Sequence, residues 1–192
     1  TDPKGGFYSA EDADSEGVEG KFYVWTEEEV RQVLKGEEAG LIIDVYNIDK
    51  TGNFRDEASG ENTGSNILNL EKTLTEVAFR NKESVDGLKE RVETARQKLF
   101  AVRDKRVHPH KDDKILTDWN GLMIAALAKG AQVFDEPKYA VAAKRAADFI
   151  LTDMRREDGR ILHRYREGHA AILANADDYA FLIWGLLELY ET

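Results

Sequence analysis

The sequence predicts a mainly α fold: part of an (α/α) toroid of helical hairpins, with short β-strands in the connections. Three observations lead there. Apolar residues recur at helical spacing through most of the chain. Two stretches align at one constant offset of 60 residues: Asp118-Trp119 with Asp178-Tyr179, Leu122 with Leu182, Met123 with Ile183, Leu127 with Leu187. Between them lies a helix with one wet face, so the unit is a buried helix, a return helix and a long connection. Linear helical repeats run about 33–47 residues with short turns, and a longer unit suits a ring better. Periodicity by itself leaves both arrangements open.

The elements follow in order. Thr1 to Gly20 is punctuated by Pro3, Gly5, Gly6, Gly17 and Gly20 and reads as a long loop with six carboxylates. Lys21-Phe22-Tyr23-Val24-Trp25 is aromatic and β-branched and predicts a short strand, with Tyr23 and Trp25 on one face. Thr26 and Glu29 have capping-box spacing, and Val30, Val33 and Leu34 form the buried stripe of the helix they open, which Gly36 ends. Leu41 to Ile48 is helical by spacing. Asp49 to Asn66 turns polar and reads as a loop or ragged hairpin. Ser84 caps a long helix with Leu88, Val92, Ala95, Leu99 and Val102 on its inner stripe. A basic loop, Arg103 to Lys114, precedes a helix capped by Thr117 or Asp118. That helix is apolar nearly all round, which predicts burial between other elements. Asp135-Glu136-Pro137 breaks the chain before an alanine-rich helix, Tyr139 to Met154. Arg160 to Arg166 is β-like, and a last all-apolar helix runs from about Asp177 to Glu191.

The chain of 192 residues has the length of one domain, and 42% hydrophobic residues supply a core. Twenty-seven basic residues against 37 acidic ones give a net charge of −10, which argues against a nucleic-acid partner. Without cysteine, disulfides, thiolate metal sites and thiol catalysis are excluded. No apolar run approaches the roughly 20 residues of a membrane span, and no secretory signal is visible, so a cytoplasmic protein with no membrane partner is expected. The start at Thr1 and the interior positions of Met123 and Met154 suggest a piece of a longer chain.

Three blocks carry a family resemblance. Gly6-Phe7-Tyr8-Ser9-Ala10-Glu11-Asp12-Ala13-Asp14-Ser15-Glu16 is followed by Glu19-Gly20-Lys21-Phe22-Tyr23-Val24-Trp25-Thr26. Asp113 to Met123 follows Arg106, Pro109 and His110. The third is Asp178-Tyr179-Ala180-Phe181-Leu182-Ile183. Together they resemble the thioredoxin-domain-containing YyaL / spermatogenesis-associated family over essentially the whole chain. The resemblance implies a single partial domain over 1–192, cut from a six-hairpin toroid similar to N-acylglucosamine 2-epimerase, with the thioredoxin-like domain absent. It also implies a carbohydrate ligand, and a parent protein that is a sugar isomerase-, epimerase- or glycosidase-like enzyme. The alternative is a non-catalytic helical scaffold for a partner protein or peptide.

Asp12, Asp14, Glu16 and Gly17 open like a calcium loop, but its twelfth position is Tyr23 instead of Glu, and an EF-hand is rejected. A turn is the plainer reading, and sugar-hydroxyl binding by Asp12 and Asp14 is the sharper one. Tyr23 and Trp25 suit either the core or a stacked sugar ring. His108 and His110 flank Pro109 near Asp112 and Asp113, but five surrounding basic residues disfavour a cation, so neither a metal nor a cofactor is expected; His110 keeps an acid–base role. His163 and His169 read as surface histidines, although the resemblance to epimerase toroids, whose proton carriers are histidines, leaves His110 and His163 as the candidates for that role. Asp118, Trp119 and Asn120 sit where one apolar helix starts, and Asp178 and Tyr179 repeat the arrangement. The candidate catalytic set is therefore Asp118, His110 and Asp178, with Asp12, Asp14, Tyr23, Trp25, Trp119, Asn120 and Tyr179 binding substrate. Incomplete covering of the apolar helices predicts self-association.

Overall fold

A computed structural model describes residues 1–55 and 60–192. It divides into two compact units. One comprises Thr1–Glu11 and Lys111–Thr192; the other, Asp12–His110, is inserted between those segments.

The chain reaches the insertion through strand β1 (Ala10–Glu11). The inserted unit opens with a hairpin of β2 (Asp14–Ser15) and β3 (Val18–Glu19). Its two loop residues, Glu16 and Gly17, have φ of 54° and 75°, as a tight type I′ turn demands. Here the Asp12 carboxylate accepts the Asp14 N–H at 3.3 Å, so the calcium-like run is a turn.

The strand predicted over Lys21–Trp25 does not form. Tyr23 and Val24 both donate backbone N–H groups to the Gly20 carbonyl, and Trp25 keeps a lone bridge to Asn66. The cause is a side chain. Arg106 Nη1 donates to the carbonyls of Phe22 and Val24 at 3.0 and 2.7 Å, doing the work of a partner strand. Its guanidinium lies 4.2 Å from the centre of the Trp25 ring. Burial pulls the Arg106 pKa down, and the Glu29 charge opposes that shift.

Four helices complete this unit: α1 (Glu27–Val33), α2 (Gly36–Val45), α3 (Leu74–Asn81) and α4 (Val85–Arg103). Thr26 and Glu29 form the capping box of α1. Thr73 and Glu76 form another at α3, and Ser84 caps α4. Val30, Leu34, Ile42, Val45, Leu88, Val92, Ala95 and Leu99 make one core with Trp25. The long polar connection is held by Asn66, which is fully buried. Its Oδ1 accepts the N–H groups of Asp49 and Asn53, while its Nδ2 donates to the carbonyls of Trp25, Asp49 and Gly64.

In the other unit, β4 (Lys111–Asp112) pairs with β1, and β5 (Ile115–Leu116) pairs with β6 (Leu162–Arg166). Helices α5 (Thr117–Phe134) and α6 (Pro137–Asp153) lie between, with Pro137 at the first turn, where its missing N–H costs nothing. Strand β7 (His169–Leu173) returns along β6, and α7 (Ala176–Tyr190) ends the chain.

The 60-residue repeat is two helices in direct contact. Asp118 meets Asp178 at one end and Gln132 meets Thr192 at the other, so α5 and α7 run parallel. They touch through glycine. A Cβ on Gly121 would lie 2.5 Å from the Phe181 carbonyl carbon, and one on Gly185 would lie 2.5 Å from the Gly121 oxygen.

The toroid expectation is corrected. The seven helices of the described residues, with three small sheets, form two units and show no ring. With one wet face, α4 has the character of an outer helix of such a ring. It instead packs on α1, α2 and α3 through the stripe Leu88, Val92, Ala95 and Leu99. A wet face shows that a helix has solvent on one side and does not show what its dry face meets. Nor are α5 and α7 buried all round: Trp119, Met123, Ile183, Trp184 and Leu187 are about half exposed. No helix of the described residues is long and apolar enough to cross a membrane.

Candidate functional site

The residues singled out from the sequence divide between the units. Asp12, Asp14 and Tyr23 are exposed in the inserted unit, and Trp25 is 2% exposed in its core. His110 is exposed there too, and its carbonyl accepts the Asp12 N–H at 2.8 Å. Asp118, Trp119, Asn120, Asp178 and Tyr179 lie in the unit of α5 and α7.

Within that second group a polar centre forms at the paired helix starts. Asp178, 1% exposed, is the third residue of the capping box that Asn175 opens at α7. Its Oδ2 accepts the Asn175 N–H at 2.7 Å, and its Oδ1 accepts the Asp118 N–H of α5 at 3.0 Å. One carboxylate thus caps two helices, with the positive ends of both dipoles directed at it. No side chain of α5 caps that helix itself. It starts at Thr117, one residue earlier than a Thr117 cap and two earlier than an Asp118 cap would place it, and the Asp118 Oδ1 accepts the adjacent Trp119 N–H at 2.8 Å.

His163 completes the centre. Its Nδ1 lies 2.8 and 3.0 Å from the two Asp178 oxygens. Those oxygens already accept two backbone N–H groups, so the imidazole donates from Nδ1 and Nε2 is left with a lone pair. The His163 side chain is 23% exposed, so solvent reaches an imidazole whose orientation is fixed from below. Asp118 adds a second carboxylate: one ligand atom each from Asp118, His163 and Asp178 lie within 4.8 Å of one another. That donor set could hold a divalent cation.

The remaining candidates flank this centre or support it. Trp119 is 52% exposed, one residue beyond Asp118. The Tyr179 hydroxyl accepts the Ile161 N–H at 3.1 Å, anchoring the ring beside Asp178. Asn120 is buried and spent on structure: its Nδ2 donates to the Phe7 and Leu116 carbonyls, and its Oδ1 accepts the Phe7 N–H.

His163 read as a surface histidine in the sequence, and the structure corrects that. The signal was present. Ile161, just before β6, alternates with His163 and Tyr165 within it, and the two outer members are buried, which places His163 on the inward face. A strained residue sits opposite. The pairs Leu162 with Leu173 and Arg164 with Ala171 put Ile172 across from His163, and Ile172 has φ of 67°. A β-branched residue rarely adopts that conformation, and such strain clusters at functional positions.

Comparison with known proteins gives several relatives and no matching family model. The chain is 36% identical over 98% of its length to an uncharacterised protein, B0495.5, of Caenorhabditis elegans. It is 33% and 32% identical, over 97% of its length, to spermatogenesis-associated protein 20 of Rattus norvegicus and of Homo sapiens. The chain spans 27–29% of the length of these relatives.

Proposed function

We propose that the chain is a segment of a protein of the spermatogenesis-associated protein 20 family, and that the centre at His163 is an acid–base site for a polyhydroxylated, sugar-like substrate. The observation that carries this is the His163–Asp178 pair, a partly exposed imidazole held by a buried, multiply bonded carboxylate. In this reading His163 Nε2 takes and returns a proton. Asp178 is a positioning residue that fixes the tautomer. Asp118 accepts substrate hydroxyls, and Trp119 and Tyr179 offer ring faces on which the apolar side of a sugar stacks. The carboxylate pair favours proton transfer over glycoside hydrolysis. Hydrolysis needs two available carboxyl groups about 5–9.5 Å apart. Here the two approach within 4.8 Å, and Asp178 is buried with both oxygens engaged.

The test incubates the protein with reducing sugars and their phosphates in heavy water, following binding by saturation-transfer NMR and exchange of the hydrogen beside the carbonyl carbon. Binding is expected to weaken at least tenfold in Trp119→Ala and in Asp118→Asn. Exchange is expected to vanish in His163→Gln while binding persists. A panel in which no sugar binds the folded protein would sink the reading.

A second reading, the helical scaffold, is favoured by exposed apolar side chains of α5 and α7. Val133, Phe134, Ile183, Trp184, Leu187 and Tyr190 are 50–89% exposed. At about 100 Å² each they present several hundred Å² of apolar surface, above the roughly 400 Å² that marks an interaction site and near the per-partner area of a modest dimer. The occupant we assign is a second copy of the chain. Light scattering is expected to show mass rising with concentration, and Trp184→Glu with Leu187→Glu is expected to return a monomer. A wild-type monomer at all concentrations contradicts this.

A further inference from the structure

The inserted unit contains a small cleft of about 210 Å³ lined by Trp25, Tyr46, Leu68, Leu99, Phe100 and two arginines, Arg96 and Arg103. The two cations differ. Arg96 is committed: its Nε and Nη2 donate to the two Glu93 oxygens at 2.7 Å each, a fork that holds the Glu93 pKa down at about 2. Arg103 is not. It forms no ion pair among the described residues, and its buried Nε has no hydrogen-bond acceptor there. Its guanidinium lies among three rings, 5.7 Å from the centre of Phe22, 5.9 Å from Tyr23 and 5.6 Å from Phe100. Aromatic faces stabilise a cation but leave its N–H donors unsatisfied, and a buried donor without an acceptor calls for an explanation.

The cleft supplies what a specific ligand needs beside that charge. Its walls are apolar, and the half-buried Tyr46 hydroxyl is a donor whose ionisation burial suppresses. Cavities of about 150 Å³ hold a benzene ring, so this one has room for a single ring with a small head group. In a chain of net charge −10, diffuse attraction does not bring anions to the surface. An anion that binds must be recognised locally.

We propose that this cleft binds a small planar organic anion, an aromatic carboxylate, with the carboxylate on Arg103 and the ring against Phe100, Leu68 and Leu99. Arginine is suited to the role because its planar fork matches a carboxylate in two parallel hydrogen bonds. The proposal is independent of the His163 centre, which lies in the other unit.

Fluorine NMR titration of the protein with 4-fluorobenzoate, and separately with its uncharged counterpart 4-fluorobenzamide, tests it. The carboxylate is expected to bind at least tenfold more tightly than the amide. Arg103→Gln is expected to lower carboxylate affinity at least tenfold and leave the amide unchanged. Phe100→Ala, at a half-exposed helix position, is expected to weaken both probes severalfold, so the idea stays testable if the arginine variant fails to fold. Arg160→Gln, remote in sequence and exposed, serves as the control. Equal binding of the two probes, no binding of the carboxylate, or indifference to both substitutions would each overturn the proposal.

Discussion

Asp178→Ala is expected to destabilise the unit of α5 and α7 by about 3–5 kcal/mol, the cost of breaking a buried charged network by removing one member. The reason is convergence. The substitution removes the acceptor for the Asn175 N–H, the Asp118 N–H and His163 Nδ1 together, leaving three donors unpaired around a vacated volume. A lost helix cap alone costs about 1 kcal/mol, and here two helices lose theirs in one change. Asp178→Asn keeps one carbonyl oxygen and should cost about half as much, because an amide accepts through a single atom. Urea unfolding followed by circular dichroism measures both. A loss under about 1 kcal/mol for the alanine variant would show that the carboxylate is no shared cap.

The second large effect concerns one chemical change made twice in one helix. Gly121→Ala is expected to cost about 2–4 kcal/mol, at or above the usual range for overpacking, because the new methyl group meets backbone. The ideal Cβ falls 2.5 Å from the Phe181 carbonyl carbon and 2.6 Å from the Leu182 nitrogen, atoms of a neighbouring helix that cannot rotate aside. Gly130→Ala, also in α5, has the opposite sign. Its Cβ would meet only the Tyr139 ring, at 3.6 Å, so the helix propensity of alanine should stabilise it by about 0.5–1 kcal/mol. Melting temperatures of the two variants should therefore move in opposite directions. A harmless Gly121→Ala would mean that α5 and α7 separate without penalty.

These glycines mark how far the sequence could be read. Helix starts were legible because their chemistry is local: Thr26 with Glu29 and Ser84 do at α1 and α4 what their spacing implies. The same T-x-x-E signal stands at Thr73 and Glu76, and α3 could have been found from it. The repeat was legible as a relation between two helices, and those helices do lie side by side. What it could not convey was architecture, since spacing along a chain does not say whether α4 turns its dry face to α5 or to α1. The apparent strand at Lys21–Trp25 failed for a similar reason. Its propensity was real, but its carbonyls were claimed by Arg106, more than 80 residues away. The acid–base pair was half legible. Asp118 and Asp178 stood out at helix starts, whereas His163 depended on seeing the inward face of a strand that also carries Leu162 and Arg164.

The insertion of residues 12–110 bears on the order in which the chain folds. Ala10 pairs with Asp112 and Glu11 with Lys111, so the first strand finds its partner only after roughly a hundred residues have been traversed. Closing a flexible loop of that size costs about 4 kcal/mol in chain entropy. Within the inserted unit the Asp12 N–H already donates to the His110 carbonyl, so its folding brings the two ends together. A structured insertion therefore shortens the effective loop to a few residues. Damage confined to it, such as loss of the Asn66 hub, would slow assembly of the unit that carries His163 without touching any atom of that unit.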